Sequence, residues 1–177
     1  SWTFSSDHYD VTNYGLYSGD DGHAGLLSER LAKAREDLGA ESLVLGECGH
    51  GFASTRWEAP QWLDKRFPFP VRSILEVAAG YLRAGRIRLD PSKNTKPLTL
   101  HDPCNLVRLG GVVEEQRYLL KNAVTDFREM TPNRQHNFCC GGGGGMLSMS
   151  EYGERRVASG RLKAEQIRAT GAKIVAT

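Results

Sequence analysis

The segment HNFCCGGGGGM, residues 136–146, sets two adjacent cysteines directly before five consecutive glycines. Successive side chains of an extended strand point to opposite faces, so two neighbouring thiols reach one centre only where the backbone leaves strand geometry. Glycine permits this at little steric cost and also lets backbone N–H groups come close to sulfur. The segment therefore indicates either a thiol-based binding site or a flexible loop that holds two buried cysteines.

The glycine run lacks the marks of a nucleotide-binding loop. No Gly-Lys-Ser or Gly-Lys-Thr follows it, as a phosphate loop requires. A dinucleotide fingerprint starting at Gly141 would need glycine or alanine where Met146 stands. We therefore set nucleotide binding aside for this segment.

The chain has four cysteines: Cys48 in GECGHG, Cys104 in HDPCN, and the pair Cys139 and Cys140. We expect the chain to be soluble and free of a disulfide framework, and a disulfide between sequence neighbours is strained. Structural zinc prefers two cysteines separated by two to four residues, a spacing that no pair here has. Adjacent thiolates suit a centre with several metal atoms, so the sequence favours an iron–sulfur cluster.

The order of the cysteines resembles that of a known domain. Cys104, the 34 residues 105–138 and then Cys139-Cys140-Gly141 are similar to the CCG cysteine-rich domain, in which a downstream C-x-x-C completes the iron–sulfur site. The domain occurs in heterodisulfide reductase catalytic subunits and in iron–sulfur subunits of glycolate, lactate and glycerol-3-phosphate oxidising enzymes. The segments GECGHG, HDPCNL and FCCGGGGG most resemble the heterodisulfide reductase family, closest to the DsrK-type subunit of the DsrMKJOP redox complex.

This resemblance implies a ligand set and a reaction. Cys104, Cys139 and Cys140 would be ligands of a non-cubane [4Fe-4S] cluster, with Gly141 and Gly142 beside the cofactor. A substrate disulfide or trisulfide would be cleaved or formed there. No thiol follows Cys140 in the sequence, so we expect the C-x-x-C just beyond Thr177 and expect the chain alone to be inactive and to hold metal poorly.

Three further residues are candidates for catalysis. Cys48 and His50 lie in a glycine-flanked loop after an apolar run, where a structural role is equally compatible with the sequence. His101 precedes Cys104 at the expected end of a strand and could supply a proton to a leaving thiolate. The alternative for the HDP segment is a turn that Asp102 caps.

Strand-like and helix-like segments alternate along the chain, which predicts an α/β fold with parallel sheets and flanking helices. WTFSS, SLVLGEC, PLTLHDPC and KIVAT are the expected strands. The expected helices are LLSERLAKAREDLG, about 71–84, about 114–129 and about 151–169, and 52–70 is expected to be a connector rich in aromatic residues and proline.

The two ends of the chain show a weak internal repeat. Phe4-Ser5-Ser6 aligns with Phe138-Cys139-Cys140, and Gly39-Ala40 before SLVL aligns with Gly171-Ala172 before KIVA. We interpret residues 1–96 as a degenerate first half with a connector and residues 97–177 as the cluster-binding half. Equivalent strands should then end at Ser5-Ser6 and at Cys139-Cys140.

Charge and hydropathy limit the kinds of partner that we expect the chain to bind. The net charge is +2 and the longest apolar runs are far shorter than a membrane span, so we expect neither nucleic-acid binding nor a direct membrane span. The resemblance implies other subunits of a membrane redox complex, a small thiol-carrier protein of the DsrC type, and a position at the cytoplasmic face of the membrane. Two alternatives stay open: an electron-transfer subunit of a 2-hydroxy acid or glycerol-3-phosphate oxidising complex, and a metal-free or zinc-binding thiol module.

Overall fold

The structure, a computed structural model, describes residues 1–8, 13–46, 48–63, 69–142 and 145–177. Its contacts divide the chain into two compact units, Ser1–Val77 and Ala78–Thr177. Each unit contains a parallel sheet with flanking helices, which confirms the predicted α/β class. The predicted division between residues 96 and 97 separates two halves of the chain that are expected to be related to each other, not two compact units. It stays a prediction.

The first unit is built around the parallel pair of strands β1 and β2, with Leu43 opposite Val71. Helix α2 begins where the side chain of Asp20 accepts the N–H of His23 at 2.9 Å, and it buries Leu27 and Leu31 as their spacing predicts. The elements of this unit are α1 (Tyr14–Ser18), α2 (Asp21–Asp37), β1 (Leu43–Leu45), α3 (Gly49–Ala53), a π-helical turn (Ser54–Glu58), α4 (Ala59–Leu63), β2 (Val71–Ser73) and the start of α5 (Ile74–Arg83).

The second unit contains a three-stranded parallel sheet in the order β4-β3-β5. Its helices and strands are β3 (Leu98–Leu100), α6 (Glu115–Ala123), β4 (Phe127–Arg128), α7 (Gly153–Thr170) and β5 (Ile174–Ala176). The central strand, β3, is buried along its whole length. Helix α7 ends at Gly171, whose φ of 65° lies in the left-handed region that favours glycine. Like every other helix in the described part of the chain, α7 does not meet the length and hydropathy of a membrane span.

The predicted N-terminal strand is wrong. Residues 1–8 form neither helix nor strand, and Trp2 and Phe4 are each 82% exposed. A β-prone sequence becomes a strand only where a neighbouring strand offers backbone partners, and no strand in the described ranges pairs with WTFSS. The predicted β-α-β unit therefore lacks its first strand among the residues described.

Three other boundaries differ from the sequence expectations. The connector expected at 52–70 is helical up to Leu63, where α3, the π-helical turn and α4 follow one another without a break and Pro60 is the second residue after the π-helical turn. The helix expected from Val71 begins instead at Ile74, after a strand that pairs with β1. The helix expected over 114–129 ends at Ala123, and the chain then forms β4 beside β3.

The internal duplication stays a prediction. A helix, a left-handed glycine and a parallel strand follow one another in both halves, at Gly39 with φ 59° and at Gly171 with φ 65°. Neither Ser5-Ser6 nor Cys139-Cys140 ends a strand in the described chain, so the predicted equivalent strands are wrong.

Candidate metal centre

The first cysteine of the predicted ligand set lies at the carboxyl end of the central strand of the second unit. After β3, the N–H of His101 donates to the carbonyl oxygen of Ala176 at 2.8 Å, which continues the contact between β3 and β5. Cys104 then starts a π-helical turn, Asn105–Leu109, and is partly exposed. Loops at this edge of a parallel sheet are where binding sites commonly form.

A buried ion pair fixes the turn between β3 and Cys104. The guanidinium of Arg117 donates to both carboxylate oxygens of Asp102 at 2.7 Å, and the two side chains are at most 1% exposed. The backbone N–H of Arg134 donates to the same carboxylate at 2.6 Å. Burial alone would raise the pKa of Asp102, but the hydrogen bonds from Arg117 and Arg134 outweigh it and lower that pKa. Asp102 is thus an ionised structural anchor.

A second arginine connects the Cys104 turn to the segment that precedes the cysteine pair. Arg108, on the π-helical turn, donates to the carbonyl oxygen of Gln135 at 2.8 Å and to that of Asn137. Asn137 is 1% exposed and Arg108 is exposed, so this contact lies at the edge of the interior, two residues before Cys139. The hydrogen bonds of Arg108 therefore join the turn that follows Cys104 to the segment that precedes Cys139-Cys140.

The cysteine pair is exposed and unoxidised, and backbone N–H groups are directed at both sulfur atoms. The N–H of Gly141 donates to Sγ of Cys139 at 3.3 Å, and the N–H of Gly142 donates to Sγ of Cys140 at 3.4 Å. Gly141 has a φ of 72°, a left-handed conformation that glycine adopts readily. The glycines thus place N–H donors on sulfur, as the sequence suggested, whereas Gly143 and Gly144 lie outside the described residues.

The cysteine loop lies directly on helix α7. A Cβ atom at Gly160 would come within 2.6 Å of the carbonyl oxygen of Cys140, and a Cβ at Gly141 would collide with the carbonyl oxygen of Arg156. Two glycines, one on each side of the contact, therefore allow the backbone of the loop to approach the backbone of the helix.

Comparison with known proteins concerns the part of the chain that contains Cys104, Cys139 and Cys140. Residues 98–177, which contain all three, match the family of the CCG cysteine-rich domain. This part of the chain belongs to the CCG family. The predicted resemblance to the CCG family is therefore confirmed.

Curated relatives of the chain include oxidoreductases and oxidoreductase subunits. An Hdr-like menaquinol oxidoreductase iron-sulfur subunit 2 of Archaeoglobus fulgidus is 31% identical, over 82% of this chain and 32% of the relative. A dihydromethanophenazine:CoB–CoM heterodisulfide reductase subunit of Methanosarcina barkeri is 34% identical, over 68% of this chain and 29% of the relative. An EtfAB:quinone oxidoreductase of Syntrophomonas wolfei is 29% identical, over 71% of this chain and 17% of the relative. No solved structure matches.

The chain spans about a third of the length of the first two relatives. Its similarity to iron–sulfur oxidoreductase subunits supports a role in an iron–sulfur oxidoreductase, and the CCG domain implies an iron–sulfur cluster. The relatives are named as subunits, so they act within larger assemblies.

The thiols of the CCG domain fit such a cluster as a partial ligand set. Within the ranges that the structure describes, no three His, Cys, Asp or Glu side chains are grouped so as to hold a metal ion, so Cys104 is not gathered with Cys139 and Cys140 into one ligand group. Two exposed, adjacent thiols that already accept backbone N–H bonds instead suit a multinuclear centre, because hydrogen bonds to ligand sulfur stabilise its negative charge. The further ligands expected beyond Thr177 stay a prediction.

A buried lysine of the CCG domain lies near the same loop, and the sequence analysis missed it. Lys163 on α7 is 3% exposed, and its Nζ donates to Sδ of Met130 at 3.7 Å. Burial lowers the pKa of Lys163, while Asp102 and the thiols of Cys140 and Cys139 act in the opposite direction. A lysine on a polar helix ordinarily faces solvent, so no local signal distinguishes this residue in the sequence.

The three candidate catalytic residues fall in different units. His101 is 8% exposed in the second unit, and burial, followed by the charge of Lys163, lowers its pKa. Cys48 and His50 belong to the first unit, where Sγ of Cys48 accepts the N–H of Gly51 at 3.2 Å and the ring of His50 stacks on Tyr17 at 3.9 Å. Their catalytic roles stay predictions.

Replacing Gly160 by alanine should destabilise the contact between α7 and the cysteine loop. The new methyl group would meet the carbonyl oxygen of Cys140, and overpacking against backbone typically costs about 1–3 kcal/mol. Gly153→Ala on the same helix is the matched control, because a Cβ there has nothing within 4 Å and alanine favours a helix by up to about 1 kcal/mol. Urea denaturation of both variants measures the difference. Equal stability of the two variants would contradict the close contact.

Proposed function

We propose that the chain is part of the iron–sulfur subunit of a heterodisulfide reductase-like complex that cleaves or forms a disulfide or trisulfide. In this proposal Cys104, Cys139 and Cys140 hold a non-cubane [4Fe-4S] cluster. The observation that carries the proposal is the exposed cysteine pair, whose sulfur atoms accept backbone N–H bonds and whose loop is joined to the Cys104 turn by Arg108. A site that must admit a substrate sulfur needs this exposure.

The chain's own residues would bind and shape this site. Gly142 leaves the space beside Sγ of Cys140 free of a side chain, so a flexible peptide arm that carries the substrate sulfur can approach there, whereas Gly141 packs against α7. Their N–H groups stabilise negative charge on Sγ of Cys139 and Cys140. When bound, the cluster would supply one-electron steps and a binding position for one substrate sulfur. Reduction of a disulfide consumes two electrons and two protons and releases two thiols.

The electron pool and the partners follow from the relatives and the resemblance. One relative is named as a menaquinol oxidoreductase subunit, and we propose that quinol in the membrane supplies or receives the electrons. We propose a small thiol-carrier protein of the DsrC type as the substrate, as in the sulfur metabolism of DsrK-containing organisms. Other subunits would hold the protein at the cytoplasmic face of the membrane.

A second candidate is electron transfer without disulfide chemistry. The similarity to an EtfAB:quinone oxidoreductase favours this alternative, in which the same domain passes electrons to quinone. The electron donor would then be a flavoprotein, or a 2-hydroxy acid or glycerol-3-phosphate oxidised by a flavin subunit. The two candidates differ in whether thiols are produced.

Turnover of the full-length protein in its complex should distinguish the two candidates. With reduced quinol and oxidised carrier, we expect two new thiols for each quinol oxidised, because both half-reactions transfer two electrons. Thiol titration and quinol absorbance measure this ratio, and carrier with alkylated cysteines is the control that should give no turnover. Quinone reduction by lactate, glycolate or glycerol phosphate through a flavin subunit, with no thiol produced from the carrier, would contradict the disulfide assignment. Stoichiometric zinc in place of iron would contradict both candidates.

A further inference from the structure

Lys163 lies on the face of α7 that meets the cysteine loop. It follows Gly160 by three residues, so the two lie on the same side of the helix. At Gly160 the helix approaches the carbonyl oxygen of Cys140 so closely that a Cβ would be 2.6 Å from it. The side chain of Lys163 is 3% exposed and therefore extends into the interior beside that loop.

The amino group of Lys163 lacks an acidic hydrogen-bond partner among the residues that the structure describes. Its Nζ has three donors, and its hydrogen bond there goes to Sδ of Met130, a weak acceptor, at 3.7 Å. The carboxylate of Asp102 already accepts two bonds from Arg117 and one from the N–H of Arg134. Burial lowers the pKa of Lys163 although Asp102 and the two thiols act against it, so these charges offset only part of the cost of burying the ammonium group, and a further anion nearby would stabilise it.

A second buried polar group points to the same occupant. His101 is 8% exposed, and its Nδ1 has no hydrogen-bond partner within the described residues. Lys163 and His101 interact electrostatically, and the thiols of Cys139 and Cys140 act on Lys163. Within the described residues, Nδ1 of His101 thus lacks a partner and Nζ of Lys163 has a thioether as its acceptor, so an acceptor-rich anionic centre would improve the hydrogen bonding of these two buried groups.

We propose that Lys163 supplies the positive charge that balances the sulfur anions held by Cys139 and Cys140, and thereby makes the bound cluster easier to reduce. This inference rests on the proposed cluster. Reduction adds negative charge to the centre, and a nearby buried positive charge stabilises the reduced form because the protein interior screens it weakly. Lys163 is a positioning and charge-balancing residue rather than a catalytic one.

The midpoint potential of the cluster in the full-length protein tests this role. Lys163→Met keeps the length of the side chain and removes its charge, so the potential should shift to more negative values in a redox titration followed by electron paramagnetic resonance. Lys163→Arg keeps the charge and should remain closer to wild type. Arg161→Met is the matched control, because it removes an exposed positive charge from the same helix and should leave the potential unchanged.

The outcomes separate this inference from the proposed function. Loss of iron in Lys163→Met with retention in Lys163→Arg would also support it, because only the charge distinguishes those variants. An unchanged potential in Lys163→Met would overturn the inference, as would loss of iron in both Lys163 variants. If the wild-type protein still produced thiols from oxidised carrier, the proposed function would stand in either of those cases. Wild-type protein that holds no cluster of this kind would overturn both.

Discussion

Replacing Arg117 by methionine should lower the free energy of unfolding of the chain by about 3–5 kcal/mol, the cost typical of breaking a buried ion pair from one side. Arg117 and Asp102 are at most 1% exposed, and the substitution leaves the carboxylate of Asp102 without its two guanidinium hydrogen bonds. Arg117 also donates to Glu129 at 2.8 Å and to the carbonyl oxygen of Val113 at 2.9 Å, so several partners lose a donor together. Urea denaturation followed by circular dichroism measures the loss.

Lys33→Met is the control for this prediction. Lys33 pairs with Asp37 at 2.7 Å, but both side chains are at least 60% exposed, so water replaces the lost contact. Exposed pairs of this kind contribute about 0–1 kcal/mol. A loss in Arg117→Met no larger than that in Lys33→Met would show that the turn before Cys104 does not depend on the buried pair.

The same pair predicts a pH dependence. The pKa of Asp102 is lowered in the folded protein, so its contribution to stability is complete above the ordinary carboxyl pKa of about 4 and is lost as the pH falls through the lowered folded value. The stability difference between wild type and Arg117→Met should therefore shrink as the solution is acidified below about pH 4. A difference that stays constant over that range would assign the loss to packing instead of charge.

The sequence predicted those elements whose signal is local. Leu27 and Leu31 show the helical spacing of α2, and the buried strands β1 and β3 appear as short apolar runs. The N-terminal strand could not be excluded from WTFSS alone, because strand formation depends on a partner strand elsewhere in the chain. For the same reason the sequence did not predict β4, because its segment also has helical spacing. It forms a strand because it pairs with β3.

The residues of the candidate metal centre also fall into those that the sequence reveals and those that only the structure reveals. The cysteine ligands are visible because Cys104 and the pair Cys139-Cys140 carry their chemistry in a recognisable order. The residues that hold them are not, because Arg108 reaches a carbonyl oxygen 29 residues away and Arg117 reaches a carboxylate 15 residues away. An arginine or lysine in a sequence ordinarily indicates solvent exposure, so a buried Lys163 beside two thiols is found only in three dimensions.

Cys140→Ala should remove from the full-length protein all the iron of the cluster that the CCG domain binds, about four atoms per chain for a [4Fe-4S] centre. Loss of one ligand opens a coordination position to water and oxygen, and the remaining thiols of Cys139 and Cys104 would be too few to retain the cluster. Cys48→Ala, which removes a thiol that caps a helix in the other unit, should leave the iron content unchanged.

The iron content of the full-length protein purified without oxygen, compared between wild type, Cys140→Ala and Cys48→Ala, tests the central claim most directly. We expect wild type and Cys48→Ala to carry the same amount of iron, and Cys140→Ala to carry about four iron atoms per chain fewer and to lack the paramagnetic signal of this cluster. Cys140→Ala with the full iron content and an unaltered signal would contradict the assignment of Cys140 as a cluster ligand.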